Sequence, residues 1–178
     1  SARYGTPADL EPTAQELTLT RDRAFTFVID KGDYNDTQMV AAAGSALQRQ
    51  IDEVIVPELD TWRLSKMVSG AGASAHAVLS SSNAYDAFLD GIVALSNAKV
   101  PMANRIAFVS PAFYKLIKLD SAFIKASDMA QDMLIKGVVG MIDGVKIVLT
   151  PSSYLPTNVA FVITVPSATV APIRFYEY

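Results

Sequence analysis

Ser96-Asn97-Ala98-Lys99 places a hydroxyl and an ammonium at the Ser-x-x-Lys spacing that some acyl-transfer enzymes use to activate a serine. Two of its four positions are free and its companion motifs are missing, so the spacing reads as chance. Glu58 and Asp60 offer two carboxylates of the kind that share acid–base work, but beside Pro57 in an amphipathic stretch they read as a solvated helix face. The run Gly70-Ala71-Gly72-Ala73-Ser74-Ala75 has the glycines of a phosphate loop without the dinucleotide spacing or the Lys-Ser/Thr pair, and reads as a hinge. His76 is the single histidine, which excludes a histidine triad and a multi-histidine metal site; it reads as solvent-facing. Asn35-Asp36-Thr37 fits a glycosylation acceptor, but reads as a helix cap. With no cysteine, thiol nucleophiles, thiolate metal sites and disulfides are excluded together. No catalytic residue, cofactor site or metal site is therefore assigned.

Composition points the same way. A chain of 178 residues buries about 70% of its unfolded surface and builds a core without staples. Apolar residues make up 51% and charged residues 19%, with a mean hydropathy of +0.26, which is apolar for a lone soluble domain and implies a partner surface. Eighteen acids against fifteen bases leave a net charge of −3, no footprint for nucleic acid or an anionic membrane. Charged residues interrupt every apolar window, so a membrane span is not expected. The opening Ser1-Ala2-Arg3-Tyr4 lacks a signal-peptide pattern and reads as a processed or added end.

The elements that would position these residues follow from periodicity. Residues 1–16 read as an arm. Leu17–Thr20 and Ala24–Ile29 alternate as strands around Arg21-Asp22-Arg23, a hairpin with Phe25, Phe27 and Ile29 on one face. Ala43, Leu47, Ile51, Ile55 and Leu59 recur every fourth residue, with Trp62 widening the stripe, which predicts a helix over 37–67 kinked or broken at Pro57. A flexible connection over 69–82 follows, then a helix capped by Asn83 and running to about Ala98. Arg105–Val109 reads as a strand, and Ser110-Pro111 opens a helix through Phe113, Tyr114 and Ile117. A further helix is expected over 128–136. Asp143-Gly144 between Val138–Ile142 and Val145–Leu149 is a hairpin signal, and Val159–Val165 and Thr169–Tyr176 complete the strands. The class expected is α+β.

This order of elements resembles the major capsid proteins of tailed phages and prophages, with the Hong Kong 97 fold. The resemblance rests on Ala24–Asp33 running into the helix with Arg49–Asp60, on Pro111–Ile117, and above all on Gly137–Val148 with Pro151–Pro156, followed by Val165–Pro172. It implies a long spine helix, a peripheral β-hairpin lobe formed by 17–70 and 166–178, and an α/β axial lobe formed by 71–165. It also implies a virion structural protein, assembled in the host bacterial cytoplasm, and not an enzyme. Its partners would be copies of itself in pentamers and hexamers, together with scaffolding, portal and head-decoration proteins. Neither sequence-specific nucleic acid nor a membrane is among them. Phe25, Phe27 and Trp62 would then lie at or under subunit contacts. An encapsulin-like or other phage shell protein is the nearest alternative, and a serine hydrolase using Ser96 and Lys99 a remote one.

Overall fold

The computed structural model describes residues 16, 18, 19, 21, 23, 24, 26, 42–126 and 140–171. The expected arm before residue 16, most of the hairpin over 17–29, the helix over 128–136 and the last strand beyond Ala171 lie outside them. The described residues between 16 and 26 are in neither helix nor strand, and Thr169–Ala171 joins no ladder.

The fourfold apolar stripe forms one long helical stretch: α1 (Ala42–Gln50), a π turn (Ile51–Ile55) and α2 (Val56–Ser69). Pro57 does not break it. A proline has no N–H for the carbonyl four residues back, and its ring collides with that carbonyl. Here the helix widens just before it, and the Val56 N–H reaches back five residues to the Ile51 carbonyl. Gln48 to Asp52 and Arg49 to Glu53 brace the exposed side of the widened turn one helical turn apart. After Ser69 the chain is exposed as far as Val78.

The remainder is a mixed sheet with helices packed on one face. α3 (Ala84–Asn97) precedes β1 (Ile106–Val109), and α4 (Pro111–Leu119) and α5 (Ser121–Ala126) follow it. The strands β2 (Met141–Ile142), β3 (Val145–Leu149) and β4 (Phe161–Thr164) complete a four-stranded sheet in the order β2-β3-β1-β4. β1 runs parallel to β3 and antiparallel to β4, as a strand–helix–strand crossover followed by a return strand requires. The fold is α+β. The Asp-Gly signal makes the tight turn expected of it: Asp143 and Gly144 have φ of 47° and 78°, and Ile142 pairs with Val145.

Alternation sorts the strands' side chains. Ala107, Val109, Ile142, Val145 and Ile147 are buried against Phe88 of α3 and Phe113 and Ile117 of α4. Phe161 stacks on Phe113 with ring centroids 4.6 Å apart and tilts against Phe88 at 5.6 Å. Gly91 allows this approach, because a Cβ there would lie 3.0 Å from Ile163 Cδ1. The opposite face carries Ile106, Phe108, Val148 and Val162, all half-buried, and Met141, half exposed.

Two buried charges hold α3 at its ends. Asp120 is 1% exposed; its Oδ2 accepts from the Tyr85 N–H at 3.1 Å and its Oδ1 from the Ala122 N–H at 2.9 Å. One carboxylate thus caps the first turns of α3 and α5, where unpaired amides and the helix dipole favour an anion. Asn83 occupies the N-cap position but does not cap α3 with its side chain, contrary to expectation. Its Oδ1 instead accepts from the Ser80 N–H at 2.7 Å and its Nδ2 donates to the Val78 carbonyl at 3.0 Å, closing the preceding turn. At the other end Arg105 is 2% exposed and donates from Nη2 to the Val100 carbonyl at 2.7 Å and from Nε to the Pro101 carbonyl at 3.0 Å. Its Nη1 reaches Ser96 Oγ at 3.1 Å and the Ile92 carbonyl at 3.4 Å, placing a cation where the helix's unpaired carbonyls favour one.

The turn at Asp143 is tied to α3 by the Tyr85 hydroxyl, which donates to Asp143 Oδ2 at 2.9 Å. Partial burial, then that hydrogen bond and the charges of Asp143 and Asp120, push the Tyr85 phenol up to about 12. An unfolded tyrosine ionises near pH 10, so the unfolded chain gives up this proton first and stability falls as pH rises from about 10 to about 12. Chemical denaturation across that window should show the fall in the native protein and a shallower one in Tyr85→Phe. Removing the double cap is the larger lesion: Asp120→Ala should cost about 3 kcal/mol, two caps and a buried charge-assisted pair, in a urea melt. Asp120→Asn keeps one acceptor oxygen and should lose roughly half of that.

Candidate association surface

Glu58, Trp62 and Lys66 follow one another at four-residue intervals along α2, so the helix stacks them on one face. Two arginines of the expected hairpin, two residues apart, meet that face. Arg21 Nη2 donates to Glu58 Oε1 at 2.6 Å, and Arg23 Nη2 lies 3.0 Å from the same oxygen. The Arg21 guanidinium is 4.9 Å from the centre of the Trp62 ring and the Lys66 ammonium 4.5 Å, both within cation–π range. Trp62 is half-buried beneath them. The 3₁₀ turn Ser152–Tyr154 comes back from the sheet to α2, and with Pro57, Glu58 and Trp62 it borders an open groove of about 440 Å³. Thr61 stays out of this chemistry, its hydroxyl donating to the Pro57 carbonyl at 2.7 Å.

Phe25 and Phe27 lie outside the described residues. Glu58 and Asp60 do not work as a pair: Glu58 takes the two arginines, while Asp60 faces Arg63 at 3.9 Å one turn on. His76 sits in the exposed stretch after α2. Among the described residues no cluster of His, Cys, Asp and Glu suited to a metal occurs, and no helix is long and apolar enough to cross a membrane.

Ser96 and Lys99 have structural work to do. The Ser96 hydroxyl donates to the Ile92 carbonyl at 2.9 Å and accepts from Arg105, so both its proton and a lone pair are engaged. Lys99, with φ 60°, is the left-handed residue past the end of α3. Its N–H meets the Ser96 carbonyl at 3.0 Å and the Val100 N–H meets the Leu95 carbonyl at 3.0 Å, the paired bonds of a Schellman ending.

The fold is similar to that of a chain from Mycobacterium phage Che8. The two superpose with a TM-score of 0.51 at 21% identity, covering 79% of this chain and 52% of the other. This chain therefore spans about half the length of that neighbour. No family model matches the sequence, and no curated protein matches it.

Residue patterns did not signal Arg105, whose partners 4 to 13 residues back are gathered only when the chain turns out of α3, or the union of Arg21 and Arg23 on Glu58, which joins segments far apart in the chain. Asp120 left a local trace: an aspartate directly before Ser121-Ala122 is an N-cap signature for α5. If Ser96 and Lys99 serve the helix end, substitutions there move stability in opposite directions. Ser96→Ala should lower it by about 1 kcal/mol through the lost acceptor for Arg105. Lys99→Gly should raise it by about 0.5–1 kcal/mol by relieving the left-handed backbone, both read as shifts in thermal midpoint.

Proposed function

We propose that this chain is a structural subunit of a phage head, a major capsid protein of the Hong Kong 97 type that self-assembles into pentamers and hexamers of an icosahedral shell. The observation that carries the reading is the fold shared with the Mycobacterium phage chain over 79% of this sequence. The order of the described segments supports it: a long helix, a helix-covered sheet, and a turn that returns to the long helix. On this reading the chain acts through surfaces and is not an enzyme. The Ser96 hydroxyl and the Glu58 carboxylate already have structural partners, which favours the same view.

Two surfaces suit self-association. One is the Trp62 face of α2, continuous with the groove at Ser152–Tyr154. The other is the apolar side of the sheet around Phe108, Val148 and Val162. The long helix also exposes Val54 and Val56, 45% and 41% accessible, beside the π turn. A shell built from many moderate contacts closes by symmetry without any single strong one. The partners on this reading are copies of the chain with scaffolding, portal and head-decoration proteins, and the location is the virion.

The test is electron microscopy of the full-length protein expressed alone and together with its scaffold. Rings of five and six subunits or closed shells are expected. A protein that stays monomeric at high concentration in both cases, with no particles on the grid, rules the proposal out.

A further inference from the structure

We propose that residues 72–77, between α2 and α3, form an endoproteolytic processing site for a peptidase whose pocket admits small aliphatic side chains, and that the sheet and helices beyond it stay folded once it is cut. Every residue over 70–78 is exposed, Val78 at 92%, and none belongs to a helix or strand. Among the described residues no hydrogen bond holds 72–77. Contacts bound the run on either side: the Ala71 N–H meets the Val68 carbonyl at 3.2 Å, and the Val78 carbonyl accepts from Asn83 Nδ2 at 3.0 Å. Endopeptidases bind a substrate as an added strand, through main-chain hydrogen bonds over several residues, so helices, ladders and pinned turns are closed to them. At about 3.3 Å per residue, 72–77 can present about 20 Å of unpaired main chain. Ala73, Ala75 and Ala77 alternate along it, and no proline removes a donor. Other exposed connections are pinned: Arg105 holds the Val100 and Pro101 carbonyls, the Tyr154 N–H meets the Pro151 carbonyl, and the Ala168 N–H meets the Val165 carbonyl.

The block beyond the run carries its own means of folding. Its core cluster spans Ala84 to Ile147, and the apolar residues packed on that cluster begin at Leu79. Both charged caps of α3 also bond to groups after the run: Asp120 to the Tyr85 and Ala122 amides, Arg105 to Ile92, Ser96, Val100 and Pro101. Hydrolysis adds one water across a peptide bond, leaving a carboxylate on the alanine and an amine on the residue after it. It ends the covalent link between α2 and the block and leaves the contact of Ser152–Tyr154 with α2 between them. The inference stands whether or not the protein forms shells.

Pancreatic elastase is the probe, applied to the full-length protein under native conditions. Mass spectrometry and N-terminal sequencing should find cuts after Ala73, Ala75 or Ala77, with products that begin at Ser74, His76 or Val78. Those products should keep a cooperative urea transition and a folded near-UV circular dichroism spectrum. The variant Ser74→Pro/His76→Pro/Val78→Pro sets a proline after each of the three alanines. Its cutting over 72–78 should slow at least about ten-fold, as loss of main-chain bonds to the protease implies, with the circular dichroism of the uncut protein unchanged. A native run that stays intact at elastase concentrations that digest the urea-unfolded chain overturns the site, and so does an unaltered rate in the proline variant. Products beginning over 74–78 that have lost their cooperative transition overturn the self-sufficient block.

Discussion

The helix Ala84–Asn97 is held between two buried charges of opposite sign, and the placement of its neighbours depends on that arrangement. Moving a carboxylate or a guanidinium out of water costs several kcal/mol, which only dense hydrogen bonding offsets. Asp120 meets this demand with the amides of two helix starts, and Arg105 with the carbonyls and hydroxyl at one helix end. The two are not partners of each other, since fourteen residues of helix, about 21 Å, lie between the ends they cap. Because Arg105 leads into β1 and Asp120 joins α4 to α5, satisfying the helix ends also sets the register of the strand and both helices around it. The apolar contacts of Phe88, Phe113 and Phe161 then fill a space whose walls are already placed.

The long helix is secured differently. Arg21 and Arg23 meet it through exposed charges on one glutamate, and its tie to the sheet passes through the short turn Ser152–Tyr154. Buried, fully bonded charge makes a rigid block, whereas surface charge makes an adjustable attachment. On the proposed reading, a subunit placed in both five- and six-fold surroundings would use that division, with a firm body and an edge whose contacts exchange at little cost. The π turn before Pro57 belongs to the adjustable part. It keeps the helix continuous across a residue that would otherwise interrupt it, while leaving Val54 and Val56 facing outward.

What local pattern could determine, it determined well. Fourfold spacing located the long helix, Ser110-Pro111 marked the start of α4 and is realised by Ser110 Oγ accepting from the Phe113 N–H at 3.3 Å, and Asp143-Gly144 set the hairpin register. Each of these features is decided within a few residues by backbone preference or side-chain reach, so sequence alone suffices. The tertiary structure decided the rest: that Asp120 and not Asn83 caps α3, that Ser96 serves Arg105, that β4 returns beside β1, and that Glu58 binds Arg21 and Arg23. These pairings join groups 35, 9 and 37 residues apart for Asp120, Ser96 and Glu58 respectively. A carboxylate or hydroxyl can satisfy many donors, and which one it meets depends on how the chain folds back, which no local spacing encodes.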